Sequence, residues 1–149
     1  MAAEVKVCID TNVLLGFFNE EPGKVESTNL FLQILFKRRI PVVIPTITLL
    51  ELASILAAAD RYTEAERVIT AIRNISLISI SEFSTDWVLA TARLKKINQL
   101  AMADAIIVAT AVETGCSHLI TFDSDFSKVS DITVMNPSEY IRLFPTDTK

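Results

Sequence analysis

The period of the apolar positions changes repeatedly along the chain. Val5, Val7 and Ile9 alternate with Lys6 and Cys8, the two-residue period of a strand. Asp10, Thr11 and Asn12 form the turn that follows. Val13 to Phe18 reads as a short apolar helix, stopped by Glu20-Glu21-Pro22-Gly23. A second helix is predicted over Lys24 to Arg39, with Leu30, Phe31, Ile34 and Leu35 as its buried stripe, ended by Pro41. Val42 to Ile44 is a short buried strand closed by Pro45. A helix from Ile47 to Ala59 follows, then one from Glu64 to Arg73 with the capping-box pattern Thr63-x-x-Glu66 at its start. Leu77 to Ile80 is a third strand. The helix from Ser84 to Lys96 carries Trp87, Leu89 and Leu94, and a very apolar helix from Ala103 to Thr114 ends on Gly115. His118 to Thr121 and Ile132 to Val134 complete five strands, and Ser138 to Phe144 is a terminal helical turn.

Strands alternating with helices indicate the α/β class and a mostly parallel sheet, for which right-handed crossovers leave few topologies. With 149 residues the chain has the usual size of one domain and can bury a core without disulfides or structural zinc. No linker, repeat or low-complexity segment divides residues 1–149, and only the tail after Pro145 reads as loose.

Composition narrows the class of function. Half of the residues are hydrophobic and the mean hydropathy is +0.40. Yet Glu51 and Asp104 interrupt the longest apolar tracts, and a membrane span needs about 20 nearly uncharged residues. The start, MAAEVKVCID, lacks the basic and long apolar regions of a signal peptide, so the cytoplasm is the expected compartment. Cys8 and Cys116 are the only cysteines and His118 the only histidine, too few for a zinc finger or ribbon. Cys8 reads as a small core residue, and a disulfide to Cys116 is disfavoured in the cytosol. The formal net charge of −4 opposes nucleic-acid binding unless some of the acids hold cations.

Five acids stand in unexpected places. Asp10 directly follows an apolar strand, Glu51 interrupts Thr48-Leu49-Leu50-Glu51-Leu52-Ala53, and Asp104 interrupts Ala101 to Ile107. Asp123 and Asp125 follow the fourth strand. Ligands of doubly wound sheets bind beyond the carboxyl ends of the strands, where strand order reverses. If the first and fourth strands are neighbours there, Asp10 and Asp123 face each other, and Glu51 and Asp104 can project to the same rim from helix starts. No Lys or Arg lies close in sequence to pair with them. Crowded carboxylates need a counter-charge, and an all-oxygen set suits Mg²⁺ or Mn²⁺.

Each acid also has an ordinary explanation. Asp10 and Asp104 can cap helices, Thr48-x-x-Glu51 is itself a capping-box pattern, and Asp123 and Asp125 are common turn formers. Singly these readings are at least as good as the chemical one. Together they give no reason for the acids to fall at one end of the sheet. The runs Lys37-Arg38-Arg39 and Lys95-Lys96 read as solvated helix ends.

At these residues the sequence resembles the PIN-domain family of metal-dependent nucleases. The resemblance is carried by Val7-Cys8-Ile9-Asp10-Thr11-Asn12, Leu49-Leu50-Glu51-Leu52, Met102-Ala103-Asp104-Ala105-Ile106-Ile107 and Leu119-Ile120-Thr121-Phe122-Asp123-Ser124-Asp125-Phe126, in that order across nearly the whole chain. The compact size looks like that of VapC-type toxins. The resemblance implies an α/β/α sandwich around a five-stranded parallel sheet. It implies Asp10, Asp104 and Asp123 as principal metal ligands, with Glu51 at a second metal or acting through water and Asp125 in a more variable role. Asn12 would hold Asp10 in place, and Thr121 would orient Asp123 or a water. It further implies a Mg²⁺- or Mn²⁺-dependent endoribonuclease, an RNA substrate and a small DNA-binding antitoxin as partner. A homodimer is expected from the unusually apolar composition. The main rival is a receiver-like domain phosphorylated beside Mg²⁺, and it is disfavoured because Thr11-Asn12 and Met135-Asn136-Pro137 stand where such a domain wants a second acid and a lysine. A non-catalytic protein on a degenerate nuclease fold is the remaining alternative, and the intact acid set disfavours it.

Overall fold

Turn residues close each apolar run after three or four positions, so the strands are short; the three central ones are mostly buried and the two edge strands are partly exposed. A computed structural model describes residues 5–145; the tail expected to be loose, 146–149, lies outside them. In chain order the elements are β1 (Val7–Ile9), α1 (Thr11–Phe18), α2 (Val25–Arg38), β2 (Val42–Pro45), α3 (Thr46–Ala58), α4 (Tyr62–Arg73), β3 (Ile78–Ser81), α5 (Val88–Asn98), α6 (Met102–Glu113), β4 (His118–Ile120), β5 (Thr133–Met135) and α7 (Pro137–Ile141). Turns of 3-10 helix at Thr85–Trp87 and Ser124–Lys128 complete the order.

The five strands form one sheet in the order β3-β2-β1-β4-β5. Every neighbouring pair is parallel, as the alternation of strands and helices predicts. Val7 stands opposite both Val42 and His118, so β1 is central. The strand order reverses between β1 and β4, which places the switch-point crevice at the carboxyl ends of these two strands.

The two-residue period of β1 sorts its side chains into two cores. Val7 and Ile9 join Val13, Phe31, Leu35, Leu52, Leu56, Val68 and Tyr140, from α1–α4 and α7. Cys8 faces the other way, with Leu119 and residues of α5 and α6 such as Leu94, Ile107 and Val108. The result is the expected α/β/α sandwich. Cys8 is fully buried, and both cysteines are free thiols. Among the described residues no helix is long and apolar enough to cross a membrane.

Local expectations failed in four places. Val5 lies outside β1 and is exposed. The buried stripe of α2 is Thr28, Phe31 and Leu35, at helical i, i+3, i+7 spacing, and this leaves Leu30 outside. The helix expected from Ser84 starts at Val88, after the 3-10 turn at Thr85–Trp87, and in it Leu94 faces the core while Leu89 is 83% exposed. Finally, α4 begins at Tyr62, so Thr63-x-x-Glu66 is not a capping box; Arg61 precedes the helix and its guanidinium bonds Glu64 instead. A complete capping box occurs where none was foreseen. The Asn136 side chain accepts from the Glu139 N–H, Glu139 accepts from the Asn136 N–H, and Pro137 opens α7.

Candidate metal centre

The crevice is built from the ends of β1 and β4. Beyond Ile9 the backbone stays paired for one more residue, with the Asp10 N–H donating to the Ile120 carbonyl at 3.0 Å. Asp10 then turns into α1. One carboxylate oxygen, Oδ1, accepts from the Thr11 N–H at 2.7 Å, and the other, Oδ2, accepts from the Thr121 hydroxyl at 2.8 Å. Asp10 is buried, so these bonds fix its orientation. Having given its proton to Asp10, the Thr121 hydroxyl accepts from the Asn12 side-chain amide at 3.1 Å and from the Asp123 N–H at 3.0 Å. The Asn12 carbonyl oxygen accepts from the Phe122 N–H at 3.0 Å. Asn12 thus acts on Asp10 through Thr121, and it pins the loop after β4 to the loop after β1. Nothing in the side-chain pattern points to the Phe122 N–H, because that anchor is a backbone group.

Asp104, Asp123 and Asp125 each offer a carboxylate oxygen within 4.8 Å of the other two. Asp104 sits in the first turn of α6, and Asp123 caps the 3-10 turn by accepting from the Asp125 N–H at 2.8 Å. Asp10 and Glu51 lie close enough to be felt electrostatically. Burial, then the charges of Asp10, Asp123 and Asp125, push the Asp104 carboxyl up to about 6. Burial raises Glu51 as well, followed by the charges of Asp10 and Asp104. Asp10 is raised chiefly by burial, an effect opposed by its bonds to Thr121 and Thr11 and reinforced by Asp123. All five acids therefore converge on the crevice, and the tightest trio includes Asp125 where the sequence suggested Asp10.

The ordinary explanations divide. Asp10 and Asp123 do cap, as well as facing the crevice. Asp104 does not, because α6 starts at Met102 after Ala101. Nor is Thr48-x-x-Glu51 a capping box, because α3 starts at Thr46 and both residues lie inside the helix. The Thr48 hydroxyl and Glu51 Oε1 are buried without a hydrogen-bond partner. A buried carboxylate oxygen with no partner is costly unless something else binds it.

These residues fit a hard divalent cation. The donors are all carboxylate oxygens, and among the described residues the two ion pairs, Lys24–Glu21 and Arg61–Glu64, involve none of them. Asp10 has lone pairs left after its two bonds, Glu51 accepts no hydrogen bond among the described residues, and each of the trio presents an oxygen near those of the other two.

A profile of the PIN domain family matches residues 7–132. A sequence comparison with curated proteins returns no match. Among solved structures, the chain is similar to one in VapBC2 from Rickettsia felis bound to a DNA fragment from its promoter, at 19% identity and a TM-score of 0.72, covering 89% of this chain and 98% of that one. It is similar to a chain of a toxin–antitoxin complex from Klebsiella pneumoniae at 24% identity and a TM-score of 0.65, covering 88% and 97%. Mycobacterium tuberculosis VapC20, described as a toxin that cleaves the sarcin-ricin loop, is similar at 19% identity and a TM-score of 0.64, over 81% and 92%. At these identities the likeness is one of fold.

Proposed function

The chain belongs to the PIN domain family, and from that premise we propose that it is a Mg²⁺- or Mn²⁺-dependent endoribonuclease, the toxin of a VapBC-type pair. The observation that carries this reading is the inward-facing trio Asp104, Asp123 and Asp125, backed by Asp10 and Glu51, with no cation of the protein paired to them among the described residues. Asp10, Asp104, Asp123 and Asp125 would hold the cation, and Glu51 would complete the set directly or through water. When bound, a divalent cation supplies a lowered water pKa and charge neutralisation at the phosphodiester. Thr121 holds Asp10 in one rotamer and accepts the Asp123 N–H, so two of the acids move as one unit. Asn12 keeps that unit attached to the end of β1. Hydrolysis in line with the scissile bond leaves 5′-phosphate and 3′-hydroxyl ends and needs no covalent protein intermediate. Incubating the protein with single-stranded RNA and Mn²⁺ is expected to give such ends, and EDTA to prevent cleavage. RNA left intact with Mn²⁺ would count against the reading.

The same carboxylates set a pH-dependent stability. Asp10, Glu51 and Asp104 all have raised values in the folded state, so between the ordinary and raised values the native chain binds more protons than the unfolded one. For Asp104 the contribution is fully present below about pH 4, its ordinary value being 3.8, and is lost as pH rises through about 6. For Asp104, which is partly exposed, it is on the order of 1 kcal/mol after allowing for solvent screening. Bound Mn²⁺ should reverse the loss, because it binds only the native state. Thermal melts at pH 7 are expected to show a rise in Tm with millimolar-range Mn²⁺ that shrinks in the double variant Asp10→Asn/Asp104→Asn. An equal rise in the variant would place the ion elsewhere.

The resemblance to structures that contain an antitoxin, together with exposed apolar side chains, supports a partnered surface. Leu50 is 59% exposed and Met102 58%, both beside crevice acids in sequence. A shallow apolar groove of about 330 Å³, lined in part by Ile47, Leu50, Phe83 and Ile106, runs between α3, α6 and the end of β3. We expect light scattering to give a homodimer. A monomer at high concentration that binds no apolar dye would defeat the expectation.

A further inference from the structure

Beside the acids lies a cavity of about 560 Å³, within the range of small-ligand sites, roughly 300–1,000 Å³. It opens along the edge strand β5 and shares Asp123 with the carboxylate crevice. Val129 and Ile132 are buried in its floor, and Phe122, Val134 and Met135 are half-buried in its walls. The rim is polar. Ser127 and Thr133 are exposed, and their hydroxyls enter no hydrogen bond within the protein among the described residues. Glu139 spends one oxygen, Oε2, on the Asn136 N–H and keeps Oε1 free. No Lys or Arg lines the cavity.

This combination rejects some ligands and selects others. An acidic rim without a cation repels a phosphate. An apolar lining of Val129, Ile132, Val134 and Met135 accepts a flat heterocycle by contact with its face, while the ring of Phe122 is already engaged by Lys24. Hydroxyls adapt to donors or acceptors, but the free carboxylate oxygen of Glu139 only accepts. Carboxylates read amino donors such as cytosine N4. Uracil carries no exocyclic amino group.

We propose that this cavity is a base-binding subsite that takes an amino-bearing nucleobase of the nucleotide next to the scissile phosphate and so contributes sequence preference. The proposal rests on the nuclease reading above for its place in catalysis, while the cavity's affinity for a base does not.

Two measurements separate the two ideas. In the first, cleavage of a random-sequence single-stranded RNA pool with Mn²⁺ is read by sequencing the product ends. Wild type should show one position beside the cut at which adenine, cytosine or guanine is favoured over uracil by at least about fivefold, the scale of a single hydrogen bond. Glu139→Gln, which can still accept the capping bond, should reduce that preference, and Ser127→Trp, which fills the mouth from an exposed position, should abolish it. Cleavage with no preference at any flanking position, or a preference unchanged in both variants, overturns the subsite and leaves the nuclease reading intact. In the second, guanosine 5′-monophosphate and uridine 5′-monophosphate are titrated and backbone amide NMR shifts followed. The guanosine compound is expected to shift Ser127, Thr133 and Val134 at lower concentration than the uridine compound, and Ser127→Trp to remove the response. That result in a protein that cuts no RNA would keep the subsite and discard the nuclease. Equal response to both nucleotides, or none at these residues, would overturn the subsite.

Discussion

Asp104→Asn is expected to lower Mn²⁺-dependent RNA cleavage by about a thousandfold, roughly 4 kcal/mol in the barrier. Asn keeps the size of the side chain and one acceptor oxygen, so the first turn of α6 should be undisturbed. What it removes is charge. Asp104 feels Asp10 as well as its two neighbours in the trio, and it influences Glu51 in turn, so it joins both parts of the acid set. Its elevation to about 6 measures how far the surroundings oppose a bare negative charge, an opposition that a bound cation removes. Neutralising it should leave the metal-free protein no less stable at pH 7, because a repulsive charge is gone. The measurement is single-turnover cleavage at saturating Mn²⁺, with Asp131→Asn, an exposed acid outside the trio, as control. Activity within tenfold of wild type would remove Asp104 from the chemistry.

The second large effect is at Glu51, where function and helix stability can be told apart. Because α3 begins at Thr46, Glu51 has no capping bond to lose, and Glu51→Gln should change stability by less than about 1 kcal/mol, the usual scale of a cap. It should still lower cleavage by at least about tenfold, roughly 1.4 kcal/mol, since an amide cannot supply the missing charge. Thr48→Val is the companion change. The Thr48 hydroxyl is buried and unpartnered, so a methyl of similar shape should be neutral or stabilising, with cleavage largely spared. Cleavage and a denaturant melt on each variant suffice. Full activity in Glu51→Gln would shrink the centre to the aspartates.

The strands and most of the acids were legible because each breaks a pattern. Asp10 ends an apolar alternation, and Glu51 and Asp104 interrupt apolar helices, which no burial argument explains. Their convergence needed only the adjacency of β1 and β4. The illegible parts lack such contrast. The 3-10 turn at Ser124–Lys128 has no apolar period, so the sequence put Asp123 and Asp125 at the rim but did not show the turn that holds them beside Asp104. Helix starts slipped because Pro45 and Ala101 precede α3 and α6 without a capping side chain, while nearby Thr48 and Asp104 imitate one. Leu30 looked like core and faces outward, because a helix buries one stripe and an apolar residue off that stripe has no say. The cavity beside the acids is assembled from the loop after β4, from β5 and from the start of α7, and its chemistry exists only once they are folded together.

The tie between Asp10 and Thr121 spans 111 positions of a 149-residue chain. Synthesis proceeds from the amino terminus, so a growing chain carries Asp10 and Glu51 long before it has β4 to pair with β1. A contact this distant in sequence must close a long loop before it gains anything, and it therefore forms late in folding. Truncated or ribosome-stalled chains that end before Thr121 lack both the clamp on Asp10 and two of the three clustered aspartates. The arrangement works as a built-in delay, in which the centre is assembled only when most of the chain has left the ribosome.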